Sequence, residues 1–138
     1  MATLKISDLS VGDWIQDKNG IYAKVLGIEN WSNGYFLNIE LHGVNVGVTP
    51  LTSAHPIPIT AEMLEANGFV KGDDFLHKID LPDNILLGAR RQTDGYIFEL
   101  KREKRRIGEL LVIIRGIRYI HQLQHALRLA RVDKEINL

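Results

Sequence analysis

The sequence predicts an α+β fold in which two regions of short antiparallel strands are joined by a brief helix and closed by a longer C-terminal helix. Three observations carry this. Residues 35–41 alternate, with Tyr35, Leu37, Ile39 and Leu41 on one face and Phe36, Asn38 and Glu40 on the other. That period of two is the pattern of a half-buried strand. Thr60 then precedes a short apolar-periodic stretch that Gly68 ends, and Tyr119, Ile120, Leu123, Ala126, Leu127 and Ala130 share one arc at helical spacing.

In chain order, Gly12-Asp13 leads into a strand at Trp14-Ile15-Gln16, and Lys18-Asn19-Gly20 makes a hairpin-type turn. Ile21 to Ile28 is rich in β-branched and aromatic residues and reads as a strand, followed by a turn at Trp31-Ser32-Asn33-Gly34. Gly43 ends the Tyr35–Leu41 alternation, and Val44, Val46 and Val48 begin another strand. Strands this short and closely spaced bury their apolar faces most cheaply by curling, so residues 1–58 are expected to form a small SH3-like β-barrel.

Pro50, Pro56 and Pro58 make a non-helical link, since a residue before proline is pushed out of the helical region. Thr60 is then a good N-cap, Ile59 and Leu64 have staple spacing, Gly68 suits the left-handed C′ position, and Phe69 packs back on Leu64. The connecting element is set at 59–69, with its helix over Ala61 to Asn67. Residues 70–138 follow as an antiparallel β-meander packed by a C-terminal helix. Its strands are expected at Phe75 to Ile79, Asn84 to Arg91, Tyr96 to Lys101 and Ile107 to Ile114, with a turn at Thr93-Asp94-Gly95 and a charged hairpin tip at Arg102 to Arg105. The run Leu110-Leu111-Val112-Ile113-Ile114 is apolar on both faces and reads as a central strand with the Arg118–Arg131 helix laid across it. Residues Val132 to Leu138 are expected to lack regular structure.

Composition narrows the classes. The chain has 138 residues, 45% hydrophobic and 25% charged, enough for one compact domain or two small halves. Without cysteine there is no disulfide framework, no thiolate nucleophile and no cysteine-based zinc site. No stretch reaches the roughly 18 apolar residues of a membrane span, and the opening MATLKISDLSVGD lacks the apolar region of a signal peptide. A cytoplasmic location and no membrane partner are the expectations. The net charge is zero, yet Met1 to Asn84 carries five Lys against eleven acids, and Ile85 to Leu138 twelve Lys or Arg against six acids. The two stretches are therefore −6 and +6. The simplest reading is halves that face each other or a neighbouring copy.

Three segments occur in this order: Leu9-Ser10-Val11-Gly12-Asp13-Trp14-Ile15; Pro56 to Leu64 with Asn67-Gly68-Phe69; and Tyr119-Ile120-His121-Gln122-Leu123-Gln124. Together they resemble a family of small uncharacterised proteins of Bacteroidetes genomes, often found beside phage-like or mobile elements. The resemblance implies a small barrel, a helix, a strand meander and a terminal helix. It carries no activity and no site residues.

Four signals bear on chemistry. His121 and His125 are four apart, the spacing of paired zinc-binding histidines on a helix. The stretch reads His-Gln-Leu-Gln-His, without a glutamate to act as base, and both histidines fall opposite the apolar arc beside Arg128, a cation that repels a metal. A third ligand would come from His42, His55 or His77, and an exposed polar face is the preferred reading. Lys101 to Arg106 is the densest basic run, so Arg102, Lys104, Arg105 and Arg106 are candidate phosphate contacts, with Arg90, Arg91 and Arg115 widening the patch. The competing reading is a solvated turn that guards strand edges. Trp14 is expected inside the barrel, and Trp31, in a turn, is the candidate exposed ligand-binding aromatic. The adjacent Asp73-Asp74 reads as a turn. No nucleophile elbow, phosphate-cradling glycine loop or spaced carboxylate pair is present, so no catalytic residue, metal or cofactor is assigned.

The expected function is a non-enzymatic binding or assembly module, acting as a homo-oligomer or with a protein partner. The alternative is nucleic-acid binding through the basic C-terminal half, and a histidine-dependent metalloenzyme ranks third.

Overall fold

The computed structural model describes residues 3–72, 76–104 and 107–138, with the backbone alone at 103, 104, 107 and 108. Asp73, Asp74, Phe75, Arg105 and Arg106 lie outside the described residues, as do the readings placed on them. Met1–Pro58 with Leu138, and Ile59–Asn137, form two compact units. The protein is α+β, with one antiparallel sheet in each unit and two α-helices in the second.

In the first unit, β1 (Trp14–Gln16), β2 (Tyr22–Trp31), β3 (Gly34–Leu41) and β4 (Val44–Pro50) form a sheet in sequential order. Side chains directly opposite across an antiparallel pair share a face. Ile15 stands opposite Ala23, and Val25 opposite Ile39. These residues, with Leu37, Leu4, Leu9 and Ala54, make the core of this unit. The entry to β1 is held by Asp13, which is fully buried and accepts a hydrogen bond from the Ser10 N–H at 2.8 Å. Beyond β4 a 3₁₀ turn, Leu51–Ser53, returns the chain to β1. There Gln16 and His55 exchange two backbone hydrogen bonds of 2.9 Å, and the Gln16 side chain donates to the Pro56 carbonyl at 2.8 Å. Among the described residues no ladder joins β1 to β4, so the sheet stays open.

The second unit starts with α1 (Ala61–Ala66). Thr60 Oγ1 accepts from the Met63 N–H at 3.2 Å. At the other end Gly68 has φ 95°, its N–H reaches the Glu65 carbonyl, and the Phe69 N–H reaches the Leu64 carbonyl. These are the two bonds of a Schellman motif, which a glycine at C′ allows without strain. Leu64 and Phe69 are both buried.

A five-stranded sheet follows, β5 (Val70–Lys71), β6 (Leu76–Leu81), β7 (Ile85–Gln92), β8 (Gly95–Lys104) and β9 (Ile107–Ile117), again in sequential order. The short β5 carries no sequence signal. Leu87 opposes Leu100, which opposes Val112, and Ala89 opposes Phe98, which opposes Ile114. Helix α2 (Ile120–Leu129) covers this face, its Leu123, Ala126 and Leu127 lining a small apolar gap with Leu87, Phe98 and Val112. Helix α1 approaches the same face: His77 and Ile79, opposite Ala89 and Leu87, lie 3.4 Å from Glu65 and within reach of Gly68 respectively.

Three expectations are corrected. Strands β1–β4 form an open sheet and do not close into the small barrel expected of residues 1–58. The Leu110–Ile114 strand is not central: β9 is an edge strand, and Leu110 and Ile113 are exposed. A helix covers one face only, so apolar side chains that alternate away from α2 meet solvent. The charged tip is also narrower than expected, because β8 continues through Lys104. The tail is better fixed than its sequence suggests. Ile136 is buried, and Asn67 holds the Asn137 backbone.

Candidate functional site

The face of the first sheet turned away from its core carries Trp14, Tyr22, Trp31 and Phe36. Trp14 stands opposite Lys24, Glu29 opposite Phe36, and Phe36 opposite Pro50. By register these belong to the face that Ile15, Val25, Leu37 and Ile39 do not use. Trp31 ends β2 at the two-residue Ser32-Asn33 turn, opposite Gly34. Its ring stacks on Phe36, with centroids 4.3 Å apart and planes 28° from parallel. Such a pair contributes about 0.5–1.5 kcal/mol beyond its buried area and fixes both rings. Trp31 nonetheless keeps 49% of its surface exposed. The result is a rigid shelf of Trp31, Phe36 and Pro50 that is open on one side.

β4 borders this shelf and is the edge of the sheet. Its seven residues carry no charge, and Val44, Val46 and Val48 are all exposed. Natural edges are usually blunted by lysine, proline or bulges. Here Val46 is left unopposed between the Ile39–Gly47 and Glu40–Asn45 pairs, and Pro50 stands at the strand end. The valines were legible as a strand; their exposure was not, because alternation alone does not say which face is covered.

Trp14 is not the core residue expected of it. Ile15 takes the inward position of β1 and is fully buried, whereas Trp14 is half-buried on the opposite face with the Lys24 ammonium 5.7 Å from its ring centre. A three-residue strand offers one inward side chain, and a period of two gives it to Ile15.

The histidine pair also differs from its expected setting. His121 is buried, so the covered side of α2 reaches roughly 100° past Ile120. Its ring stacks with Tyr119 at 5.9 Å and meets His125 edge-on at 5.9 Å. His77 is buried beside Glu65, on a different element. Among the described residues no three His, Asp or Glu side chains gather as metal ligands.

The basic run is divided by the pleat of β8. Lys101 stands opposite Leu86 and Leu110, on the face without helices; Arg102 stands opposite Ile85 and Glu109, on the other. Both are exposed. Lys104 ends β8, and its side chain lies outside the described residues, as do Arg105 and Arg106. Arg90 and Arg115 join the face of Lys101, whereas Arg91 pairs with Tyr96 on the helix-bearing face. There burial raises the Tyr96 phenol pKa, with Arg91 opposing the shift and Glu62 adding to it.

The charge division at Asn84 dissolves in the folded protein. Residues 1–58 hold three Lys against five acids, a net −2, and residues 59–137 hold fourteen Lys or Arg against twelve acids, a net +2. The acids of 59–84 belong to the same unit as the basic run. Among the described residues no helix is long and apolar enough to cross a membrane.

No family model, curated protein or solved structure matches this chain.

Proposed function

We propose that the protein is a non-enzymatic binding or assembly module whose contact surface is the Trp31–Phe36 shelf together with the uncharged β4 edge. The carrying observation is Trp31, half exposed yet held by its stack on Phe36. Aromatic side chains held rigidly at a surface lose little entropy on binding, and tryptophan is prominent among residues that dominate interface energies. An open strand edge adds main-chain hydrogen bonds to the same surface.

A second copy of the chain is the partner that this surface suits. An uncharged strand lying antiparallel to its own copy brings no like charges together. Association through apolar surface also replaces the charge attraction that the linear sequence suggests, since the two units differ by only −2 against +2. The 3₁₀ turn and the return of His55 to Gln16 support an SH3-like reading of the first unit. The family resemblance adds a phage-like or mobile-element setting, in which small assembly proteins are at home.

Sedimentation of the full chain over a hundredfold concentration range tests the proposal. The expected result is reversible self-association that weakens at least tenfold in Trp31→Ala and in Val46→Lys, the second placing a charge on the edge. A monomer throughout, or association unchanged in both variants, would refute it.

A further inference from the structure

Both helices of the second unit lie on one face of its sheet, so among the described residues the other face has no helix. By register it carries Lys78 and Asp80 on β6, Leu86 and Arg90 on β7, Ile97, Glu99 and Lys101 on β8, and Leu110, Ile113 and Arg115 on β9. Lys78, Lys101, Leu110, Ile113 and Arg115 are exposed. Among the residues whose side chains are described, four cations thus face two acids, and the β8 register puts position 103, a glutamate, on the same face. One of the acids, Glu99, is engaged by Lys101 at 3.3 Å.

Two of the cations face each other across the strands and a third lies further along β8. Arg90 stands opposite Ile97, and Arg115 flanks Ile97 on the far side, where β9 bulges between Ile114 and Ile117. With strands about 4.8 Å apart, the two guanidinium-bearing positions are about 10 Å apart. Lys101 lies four residues further along β8 than Ile97, about 13 Å away. Beside Arg115, at the other end, an open cleft of ≈ 290 Å³ lies between Ile97 and the β7–β8 turn.

We infer that this helix-free face binds the phosphate backbone of a nucleic acid lying along β8, with Arg90, Arg115 and Lys101 as its principal contacts. A track of cations spread over more than 10 Å complements an extended polyanion, whereas a single lipid headgroup needs a compact cluster. Exposed Leu110 and Ile113 offer apolar contact to sugars and base faces. No aromatic ring lies on this face among the described residues, so recognition is of the backbone and not of the sequence. Of the basic run only Lys101 is retained, and Arg102 drops out because it lies on the other face. The inference is independent of the association reading, since all its residues lie within 59–137.

Fluorescence anisotropy of the full chain with labelled 20-nucleotide single-stranded DNA and RNA, from 20 to 200 mM salt, tests it. Binding is expected at low salt, with a steep negative dependence of log K on log salt. The double variant Arg90→Ala, Arg115→Ala is expected to bind at least tenfold more weakly at 50 mM salt, with the slope shallower by about 1.4, roughly 0.7 for each lost contact. Lys101→Glu should weaken binding comparably and provides the test should the arginine variant fail to fold. Arg91→Ala and Arg102→Ala, on the opposite face, should bind as the wild type does. No binding at 20 mM salt, equal loss from the opposite-face variants, or binding to phosphatidylserine vesicles without binding to either oligonucleotide would overturn the inference.

Discussion

The Asn67 side chain holds the Asn137 backbone at both of its polar groups: Asn67 Nδ2 donates to the Asn137 carbonyl at 2.9 Å, and the Asn137 N–H donates to Asn67 Oδ1 at 2.7 Å. The same Nδ2 also donates to the Met63 carbonyl at 2.8 Å, closing the end of α1. One buried amide thus caps a helix and anchors the C-terminal tail, seventy residues away. Replacing it removes both hydrogen bonds to the Asn137 backbone, a net loss of about 0.5–1.5 kcal/mol for each. Asn67→Ala should lower the unfolding free energy measured in urea by that order and make residues 132–138 sensitive to carboxypeptidase. A tail as resistant as the wild type's would show that Ile136 alone holds it.

Trp31 and Ile15 should separate contact surface from core. Ile15 is fully buried in the first unit, and Ile15→Ala should cost about 2–5 kcal/mol. Trp31→Ala loses its stack on Phe36 and the covered half of its surface but opens no core cavity, so its cost should fall below that of Ile15→Ala. Chemical denaturation of the two variants measures the difference directly. Comparable losses would place Trp31 among the core residues.

Tyr96 makes stability sensitive to alkali. Its folded-state pKa lies above the ordinary phenol value, chiefly through burial. The unfolded chain therefore releases the phenolic proton first as pH rises. The contribution of the protonated phenol is complete below about pH 10, the unfolded value, and is lost as pH climbs from there through the raised folded pKa. Thermal melts between pH 8 and 11 should show a steeper alkaline loss in the wild type than in Tyr96→Phe.

Gly95 opens β8 with φ 132°, and a Cβ there would lie 2.6 Å from the Ile117 carbonyl oxygen. Gly95→Ala meets both a backbone clash and a disfavoured conformation, and should cost more than about 1 kcal/mol. A stability equal to the wild type's would mean that the β8–β9 pairing shifts freely at this end.

The elements legible in the sequence are those whose determinants are local. Thr60, Gly68 and Phe69 specify α1 within ten residues, and the alternation of β3 and the arc of α2 set their buried faces. What was not legible depends on pairing. Nothing in Leu110–Ile114 distinguishes a central strand from an edge, because the order of a meander is fixed by where it stops. The split of Lys101 from Arg102 likewise follows from the pleat, which divides a continuous basic run between two faces. Exposure of Trp31 was readable from its turn, but its stack on Phe36 required the register of β2 on β3.

Hydrogen–deuterium exchange of the full chain at low and high protein concentration addresses the association surface most directly. Amide protection should rise with concentration across Val44–Thr49, with little change at the buried Ala23, Val25, Leu37 and Ile39. Exchange at β4 that is the same at every concentration, in a sample that sedimentation shows to be associated, would contradict a role for this edge.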